Sequence, residues 1–363
     1  MVLKYMERAI EIAKKGTGKT NPNPLVGAVI VKDGRILAEG YHACYGSLHA
    51  ERDAISKLKE SAEGADMYVT LEPCCHYGKQ PPCTLAIIEN KIKNVYVGSS
   101  DPNELVAGKG IKQLRDAGIN VVEHVMKEEC DALNTVFFHY ITKKMPYVVM
   151  KYAMTADGKI ACDSGASKWV TGEIARNHVQ ETRNALAAIM VGVQTVINDN
   201  PSLTCRLENG NNPIRVICDS NLRIPLDSEI IKTAKDVITI IATTSQDKEK
   251  IDTIKSFGAE VVTVSKNKAG KVDLFELMEK LGEMKIDSVL LEGGGNLNQS
   301  ALKAGVVNHV QAYIAPKIFG GRGRYTPVTG DSVDVPDKAY MLRNTGIEML
   351  GEDILIEYDI VYK

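Results

Sequence analysis

Apolar and polar residues alternate with two different periods along the first 145 positions, and each period predicts a different kind of element. The apolar residues within 6–13 recur at helical spacing and predict an opening helix. Two β-branched runs, at 25–31 and 35–41, predict strands, and Asp33-Gly34 between them predicts a hairpin turn. Further patterns predict helices at 49–59 and 83–89, and strands at 66–71 and 95–98. The first half is therefore expected to form a mixed sheet with helices on its faces.

The second half repeats short apolar runs that are separated by helical patterns. Residues 155–160 are expected to turn from the first of these runs into another strand. The remaining predicted strands lie at 147–154, 188–192, 214–218, 237–241, 261–264, 288–291, 310–315 and 354–361, and helices are predicted at 173–184 and 274–282. Alternation of this kind predicts a largely parallel sheet with an antiparallel edge.

A basic segment that ends in a proline separates the two halves. Residues 123–144 read as one helical segment, which Lys143-Lys144-Met145-Pro146 terminates. A chain of 363 residues is too long for one ordinary core, so two domains are expected. We place them at 1–145 and 146–363.

Composition and charge narrow the class of protein. The hydrophobic fraction of 44% and the charged fraction of 25% are typical of a soluble globular protein. The net charge of −2 shows no excess of positive charge of the kind that indicates binding to nucleic acid. We find no apolar segment of signal-peptide type and no run of about 18 apolar residues that could span a membrane. The eight cysteines cluster at 74–83 and scatter elsewhere, which favours metal binding in a reducing cytoplasm over a disulfide framework.

The candidate chemistry centres on His49-Ala50-Glu51 and on two later cysteines, Cys74 and Cys83. One histidine and two thiolates can hold a zinc ion and leave a fourth position open to water, whose protons a nearby glutamate can carry. This is the H-x-E … P-C … C pattern of zinc-dependent deaminases acting on amino-heterocycles. His49 and Cys83 begin predicted helices, whose unpaired N–H groups favour thiolate. We therefore predict a catalytic metal beyond these helix ends.

The loop between the two cysteines is long. It contains eight residues, 75–82, where many deaminases have two. An insertion between two metal ligands must cover or border the pocket. The alternative is a closed structural zinc site, in which Cys75 or His76 of this loop is the fourth ligand.

A glycine-rich turn is the candidate anion site of the second half. Residues 290–296 pass from a predicted strand through three glycines into a predicted helix, and helix N-termini bind anions. The turn departs from the G-x-G-x-x-G fingerprint, so an ordinary turn and a dinucleotide cradle remain as alternatives.

Two motifs of the first half resemble one enzyme family. Residues 21–27 and 70–83 resemble the deaminase half of the bifunctional riboflavin-biosynthesis family, in which a diaminohydroxyphosphoribosylaminopyrimidine deaminase is fused to a 5-amino-6-(5-phosphoribosylamino)uracil reductase. The second motif departs from the common pattern at Cys75, where serine is usual, and at Gln80, where threonine is usual.

Motifs of the second half resemble the reductase of the same family, in the same order. They lie at 149–161, 191–196, 199–206 and 292–295. The resemblance thus covers nearly the whole chain. It implies a cytidine-deaminase-like α/β/α domain followed by a dihydrofolate-reductase-like α/β domain.

The resemblance also implies the residues that bind each ligand. In the deaminase half it implies contacts with the phosphorylated pyrimidine for Asn23, His42, His76 and Lys79, beside zinc on His49, Cys74 and Cys83 and with Glu51 as the catalytic residue. For the reductase substrate it implies Lys151, Ser167, Arg183, Leu203, Arg206 and Glu292. For NADPH it implies Ala153, Trp169, Thr195, Asp199, Ser220, Gly294, Gly295, Asn296, Leu297, Asn298, Gln299 and Ser300.

Four of these residues have an ordinary alternative. His42 could be a surface histidine, Lys79 a solvated charge, Lys151 a plain strand lysine and Asp199 a turn residue.

The sequence therefore predicts a cytoplasmic bifunctional enzyme that uses zinc and NADPH on phosphorylated pyrimidines. Two other interpretations compete with it: a deaminase of nucleosides or tRNA with an unrelated second domain, and a zinc-stabilised binding module without turnover. Apolar strands near the C-terminus favour self-association as a dimer or tetramer.

Overall fold

The structure is a computed structural model that describes residues 2–77 and 80–362. The chain divides into two compact units, Met1–Lys144 and Met145–Lys363.

The first unit alternates helices and strands after an opening helix and a hairpin. Its helices are α1 (Val2–Ala13), α2 (Ala50–Ser56), α3 (Cys83–Glu89), α4 (Lys109–Asp116), α5 (Lys127–Leu133) and α6 (Thr135–Lys143), with a 3₁₀ turn at Lys14–Gly16. Its strands are β1 (Gly27–Lys32), β2 (Arg35–Tyr41), β3 (Asp66–Leu71), β4 (Asn94–Ser99) and β5 (Asn120–Val122).

The strands of this unit form one mixed sheet, as the sequence pattern predicts. Among the described residues the order is β2-β1-β3-β4-β5, with β1 antiparallel to β2 and β3, and the remaining pairs parallel. The β1–β2 turn places Asp33 at φ 51° and Gly34 at φ 75°. Positive φ at both central residues matches the right-handed twist of the flanking strands, which explains the hairpin.

Close backbone contact brings α2 onto the sheet. A Cβ at Gly40 of β2 would lie 2.2 Å from the Ala54 nitrogen of α2. Only glycine fits there, because a real Cβ cannot approach backbone that closely. The contact positions the start of α2, which follows His49, over the hairpin.

The prediction of one helical segment over 123–144 was wrong. The structure has two helices, α5 and α6, which are separated at Asn134. The Asn134 side chain accepts a hydrogen bond from the Leu25 N–H (2.8 Å) and donates one to the Leu25 carbonyl (2.9 Å). This long-range pairing holds Asn134 at φ −122°, outside the helical region.

The second unit follows the predicted alternation of strands and helices. Its strands are β6 (Tyr147–Thr155), β7 (Ala188–Gly192), β8 (Ile214–Cys218), β9 (Thr239–Thr243), β10 (Glu260–Thr263), β11 (Ser288–Leu291), β12 (His309–Ala315), β13 (Met341–Leu350) and β14 (Asp353–Val361). Its helices are α7 (Glu173–Ala185), α8 (Val193–Asp199), α9 (Glu229–Lys232), α10 (Lys248–Ser256), α11 (Leu274–Glu283) and α12 (Gly295–Lys303), with a 3₁₀ turn at Pro336–Lys338.

These strands form a sheet that is parallel except at one edge. The order over the described chain is β10-β9-β8-β7-β11-β6-β12-β14-β13, and only the pairs that involve β14 are antiparallel. Successive residues of a strand enter different cores: Ala188 packs on one face and Ile189 on the other. Burial on both faces explains the continuous apolar runs in the sequence.

The turn expected at 155–160 is present, but the strand expected to follow it is absent from the described chain, where α7 is the next element after β6, so that part of the prediction was wrong. The Thr155 N–H donates to the Lys159 carbonyl, and Asp157 accepts from the N–H groups of Phe319 (3.2 Å) and Gly320 (2.8 Å). Because the polar groups of this segment are satisfied within a turn and by a later loop, they form no ladder.

Within the described residues, the longest helices are too short or too polar to cross a membrane.

Candidate active sites

Three potential metal ligands meet at the ends of two helices in the first unit. His49 is the N-cap of α2, Cys83 is the first residue of α3, and Cys74 follows β3. The His49 Nδ1 atom lies 3.5 Å from the sulfur of Cys74 and 3.5 Å from that of Cys83. Two ligands of one tetrahedral zinc ion would be about 3.6 Å apart, given typical Zn–S and Zn–N lengths. The donor set and its spacing therefore fit zinc.

Hydrogen bonds in this group favour a thiolate. Cys83 donates two hydrogen bonds to the Cys74 sulfur, one from its thiol and one from its backbone N–H, whose nitrogen lies 3.4 Å away. Together with a hydrogen bond from His49, they lower the pKa of Cys74 to about 4. The hydrogen bond with Cys74 raises the pKa of His49. Cys74 is thus the first thiol of the group to ionise, and a thiolate is the form that binds metal.

The geometry supports an open metal site over the closed alternative. Among the described residues, the ligand atoms within 4.8 Å of one another belong to His49, Cys74 and Cys83. Cys75 directs its sulfur towards the Leu105 carbonyl, 3.8 Å away. His76 is outside the group, and its buried Nδ1 atom has no hydrogen-bond partner.

Glu51 lies in the first turn of α2 and is 3% exposed. Burial, reinforced by the charge of Cys74, raises the pKa of Glu51 to about 7. A carboxyl group with a pKa near neutrality can both accept and return a proton, which is what a general base and acid must do.

Asn23 and His42 meet beside these ligands, at the open end of the hairpin. The Nδ2 atom of Asn23 lies 3.1 Å from Nε2 of His42, and Nδ1 of His42 lies 2.9 Å from the Leu48 carbonyl oxygen. His42 is 3% exposed and packs edge-on against the His49 ring, with 5.6 Å between centroids. The surface-histidine alternative is therefore wrong, and burial lowers the pKa of His42. Lys79, the other candidate in this half, lies outside the described residues.

Arg52 positions Cys83 and was missed in the sequence. It donates from Nε to the Pro81 carbonyl (2.9 Å) and from Nη2 to the Pro82 carbonyl (2.9 Å). Arg52 thereby ties the helix that follows His49 to the residues that precede Cys83. No motif could reveal this, because an arginine next to Glu51 resembles any exposed helix residue in the sequence.

The exchange Arg52→Met is expected to weaken zinc binding by about 10–100-fold, as loss of supporting contacts around metal ligands does. Methionine keeps much of the stem but lacks both donors. Competition with a chromophoric chelator measures the affinity. Arg35→Met, which breaks an exposed ion pair with Glu60, is the matched control. Equal zinc affinities for the two variants would refute the role of Arg52.

Glu72 anchors the chain that leads to Cys74. This buried carboxylate accepts hydrogen bonds from the N–H groups of Gly108 (3.0 Å), Gly110 (3.0 Å) and Ile111 (3.2 Å). It therefore caps the N-terminus of α4, where helix N–H groups otherwise lack partners. The end of β3 and the start of α4 are joined through this one side chain.

A charged cluster lies at the carboxyl end of β11 in the second unit. Arg183 of α7 donates from Nε (2.7 Å) and Nη2 (3.0 Å) to the two carboxylate oxygens of Glu292, and Lys151 of β6 lies 3.8 Å from the same carboxylate. Burial would raise the pKa of Glu292, but the charges of Lys151 and Arg183 outweigh it and lower the pKa to about 2. Glu292 is thus ionised at neutral pH, as an acceptor and not a proton donor.

Lys151 is held between Glu292 and an aromatic ring. Its Nζ atom lies 5.7 Å from the ring centroid of Tyr313, which is fully buried. Arg206, the third predicted cation, is exposed, and its charge also acts on Glu292. A plain strand lysine would point to solvent, so the structure favours a function for Lys151.

The glycine turn after β11 has one open glycine and two crowded ones, since a Cβ at Gly293 would lie 2.9 Å from the Oδ1 atom of Asn298. Space beside Gly294 is free within 4 Å, and this residue caps α12 without a side-chain hydrogen bond. A Cβ at Gly295 would lie 2.7 Å from the Thr326 carbonyl. The free helix N-terminus and the open approach fit an anion, so they support the cradle over an ordinary turn.

Three further predicted cofactor residues, Ala153, Thr195 and Ser220, lie along the same edge of the sheet as this turn. Ala153 is in β6, and Thr195, Ser220 and the turn 294–300 follow β7, β8 and β11. The order β8-β7-β11-β6 makes these four strands consecutive, and three strand spacings of about 4.8 Å span roughly 14 Å. This length suits an extended dinucleotide along the carboxyl edge.

Several of the predicted reductase residues have side chains that are already hydrogen-bonded or buried, and the hydrogen-bonded ones include Asn296, Gln299 and Ser300. The Ser220 Oγ atom accepts from the Val272 N–H (3.1 Å), and Asn298 donates to the Pro327 carbonyl (2.8 Å). Leu203 is buried in the core under β7 and β8. Asp199 is the last residue of α8. The predicted residues that are half-buried or exposed include Ser167, Asn296, Leu297, Gln299 and Ser300.

Comparison with known proteins decides the family. The model described as "Cytidine and deoxycytidylate deaminase zinc-binding region" matches residues 2–99, and the model "RibD C-terminal domain" matches residues 146–356. A riboflavin biosynthesis protein RibD from Actinobacillus pleuropneumoniae is 57% identical over 359 residues, which cover 99% of this chain and 95% of that protein. The chain belongs to the RibD family. As a RibD protein it is a bifunctional deaminase and reductase of riboflavin biosynthesis, as predicted.

Solved RibD structures confirm the predicted pair of folds. A deaminase/reductase from Thermotoga maritima is 40% identical, with a TM-score of 0.87 over 99% of both chains. RibD from Acinetobacter baumannii is 34% identical, with a TM-score of 0.89 over 99% of both chains. Because the second unit matches the RibD reductase domain, both competing interpretations of the sequence were wrong.

Proposed function

We propose that this RibD chain hydrolytically deaminates 2,5-diamino-6-(5-phosphoribosylamino)pyrimidin-4(3H)-one and then reduces the ribosyl group of 5-amino-6-(5-phosphoribosylamino)uracil to ribityl. The observation that carries the proposal is the group formed by His49, Cys74 and Cys83 with the buried carboxyl of Glu51 in the first turn of the same helix. The name of the Thermotoga relative specifies the same two activities.

In the first step His49, Cys74 and Cys83 would hold zinc, and bound zinc would lower the pKa of a water molecule so that it becomes a nucleophile at neutral pH. Glu51 takes a proton from the attacking water and delivers one to the departing amine. The raised pKa of Glu51 supports this double role, since the carboxyl is near half-ionised at neutral pH.

The ring and the phosphate need separate contacts. Asn23 and His42 are proposed to orient the pyrimidine, because both lie at the open hairpin end beside His49. His76 is proposed to contact the pyrimidine edge or the phosphate, which its unpartnered Nδ1 atom supports. Lys79 is proposed for the phosphate from its chemistry alone.

For the second step, bound NADPH would supply the hydride that C1′ of the ring-opened ribose accepts, and the adjoining nitrogen would take the balancing proton from water. The cofactor is proposed to lie along the carboxyl edge of β8, β7, β11 and β6. Glu292 accepts hydrogen bonds from sugar hydroxyls, and Lys151 stabilises negative charge that develops at the reacting end. Arg206 and Ser167 are proposed for the phosphate, since Arg183 is already paired with Glu292.

A metal assay combined with a two-step activity assay tests this proposal. The purified enzyme should contain one zinc per chain, release ammonia from the diaminopyrimidine phosphate and then oxidise NADPH. Removing zinc with a chelator should stop ammonia release, yet NADPH oxidation with the deaminated substrate should persist. A zinc-loaded enzyme that does neither reaction would refute the proposal.

Self-association is a further part of the proposal. Met341, Ile347 and Met349 of the edge strand β13 are 48%, 67% and 61% exposed, and burying such side chains against a second copy would stabilise a dimer.

A further inference from the structure

Trp169 is the one tryptophan of the chain, and it is 56% exposed. Large indole side chains are highly buried on average, so an exposed one that is held in place suggests a surface for binding. Trp169 lies between β6 and α7.

Arg176 covers one face of this indole. Its guanidinium carbon lies 4.7 Å from the centroid of the Trp169 ring, which is cation–π geometry. The same guanidinium donates from Nη1 to the Thr171 carbonyl (2.7 Å). Arg176 is thereby fixed by the segment that it supports.

Lys317 holds the backbone of the same residue. Its Nζ atom donates to the carbonyl oxygens of Trp169 (3.1 Å) and Val170 (2.7 Å). The Lys317 carbonyl accepts from the Ala156 N–H (2.8 Å) just beyond β6. The side chain of Trp169 is therefore held by a residue of α7, and its backbone by a residue of the loop that follows β12.

The held indole lies at the edge where Glu292 is found. Lys317 follows β12, and β12, β6 and β11 are neighbours in the sheet. At about 4.8 Å per strand, the carboxyl ends of β12 and β11 are roughly 10 Å apart.

We propose that Arg176 and Lys317 are positioning residues that hold Trp169 with one indole face free, so that this face stacks on a planar ring of the nicotinamide dinucleotide. We call these two residues the Trp169 clamp. The inference rests on the proposed reductase function but assigns new roles to both cations. Trp169 provides the flat surface, and the clamp keeps the surface from rotating away.

The single tryptophan makes the clamp directly measurable, since the intrinsic tryptophan fluorescence of the whole enzyme reports Trp169 alone. In ligand-free enzyme, Arg176→Met and Lys317→Met are each expected to lower the emission anisotropy and to increase quenching by acrylamide, because the indole gains freedom. Arg343→Met and Lys338→Met, which break exposed ion pairs of the same unit, should match the wild type.

Titration with NADPH tests the stacking. Wild-type Trp169 emission should fall as NADPH binds. For Arg176→Met, the NADPH concentration that gives half of the fall in emission should rise by roughly 2–5-fold. The KM for NADPH should rise by the same factor, with a smaller change in kcat. Arg176→Lys, which keeps the charge but lacks the planar guanidinium, should give intermediate values.

The outcomes separate the clamp from the reductase function. Unchanged anisotropy and quenching in either folded methionine variant would overturn the clamp, and circular dichroism verifies folding. If one methionine variant does not fold, the other methionine variant and Arg176→Lys test the clamp instead. Altered fluorescence with an unaltered NADPH titration would overturn the stacking. A wild-type enzyme that neither binds nor oxidises NADPH would overturn the proposed function. The emission anisotropy of the ligand-free enzyme would still show whether Arg176 and Lys317 hold Trp169.

Discussion

Replacing Glu51 by glutamine is expected to lower the kcat of deamination by about 10²–10⁴-fold, the usual contribution of a positioned general acid–base. Glutamine has nearly the same shape as glutamate but cannot accept a proton from water. The effect should be large because Glu51 is buried in the first turn of α2, where few other groups can take over the transfer. Ammonia release under saturating substrate measures the loss.

The zinc content of this variant is the deciding control. His49, Cys74 and Cys83 form the group of ligand atoms without Glu51, so the variant should keep one zinc per chain. Glu89→Gln, at the exposed end of α3, is the matched exchange and should retain full activity. Loss of zinc from Glu51→Gln would show that Glu51 is a ligand and not the proton carrier.

Replacing Glu292 by glutamine is expected to lower the kcat of reduction by about 10²–10³-fold, the effect of removing one preorganised electrostatic group. Glutamine cannot balance the charges of Lys151 and Arg183. The exchange leaves Arg183 buried without its bidentate partner, and breaking such a pair costs about 3–5 kcal/mol, so the Tm should fall as well. NADPH oxidation with deaminated substrate measures the activity.

A second variant separates lost activity from lost stability. Arg206 is exposed, so Arg206→Gln should suppress reduction without lowering the Tm. Both variants should release ammonia from the first substrate at the wild-type rate. Glu283→Gln, at the exposed end of α11, is the control. Equal loss of both activities in Arg206→Gln would contradict two separate sites.

The parts of the molecule that obey local rules were predictable from sequence. Asp33-Gly34 specifies its hairpin through backbone conformations that few residues adopt. His49 and the two cysteines stand out because metal ligation would restrict residue type and spacing, and Glu51 stands out because a proton carrier must lie close to them. The parallel strands were visible since burial on both faces leaves continuous apolar runs.

The supporting contacts were not predictable, because they join residues that are distant in sequence. Arg52 bonds to carbonyls 29 and 30 positions away, and Glu72 to N–H groups 36 to 39 positions away. Asn134 interrupts a helix only because it pairs with Leu25, 109 positions earlier. In each case one ordinary polar residue satisfies distant backbone groups, and no local pattern reveals which groups they are.

The position of β6 in its sheet has a consequence for the order in which the reductase unit folds on the ribosome. Tyr147–Thr155 is the first strand of this unit to be synthesised, yet its neighbours are β11 and β12, which begin at Ser288 and His309. More than 130 residues must be synthesised between β6 and the start of β11, and until then the backbone N–H and C=O groups along the edges of β6 lack a strand partner. Translation that stops before β11 therefore yields a chain with an open strand edge, which is a template for aggregation.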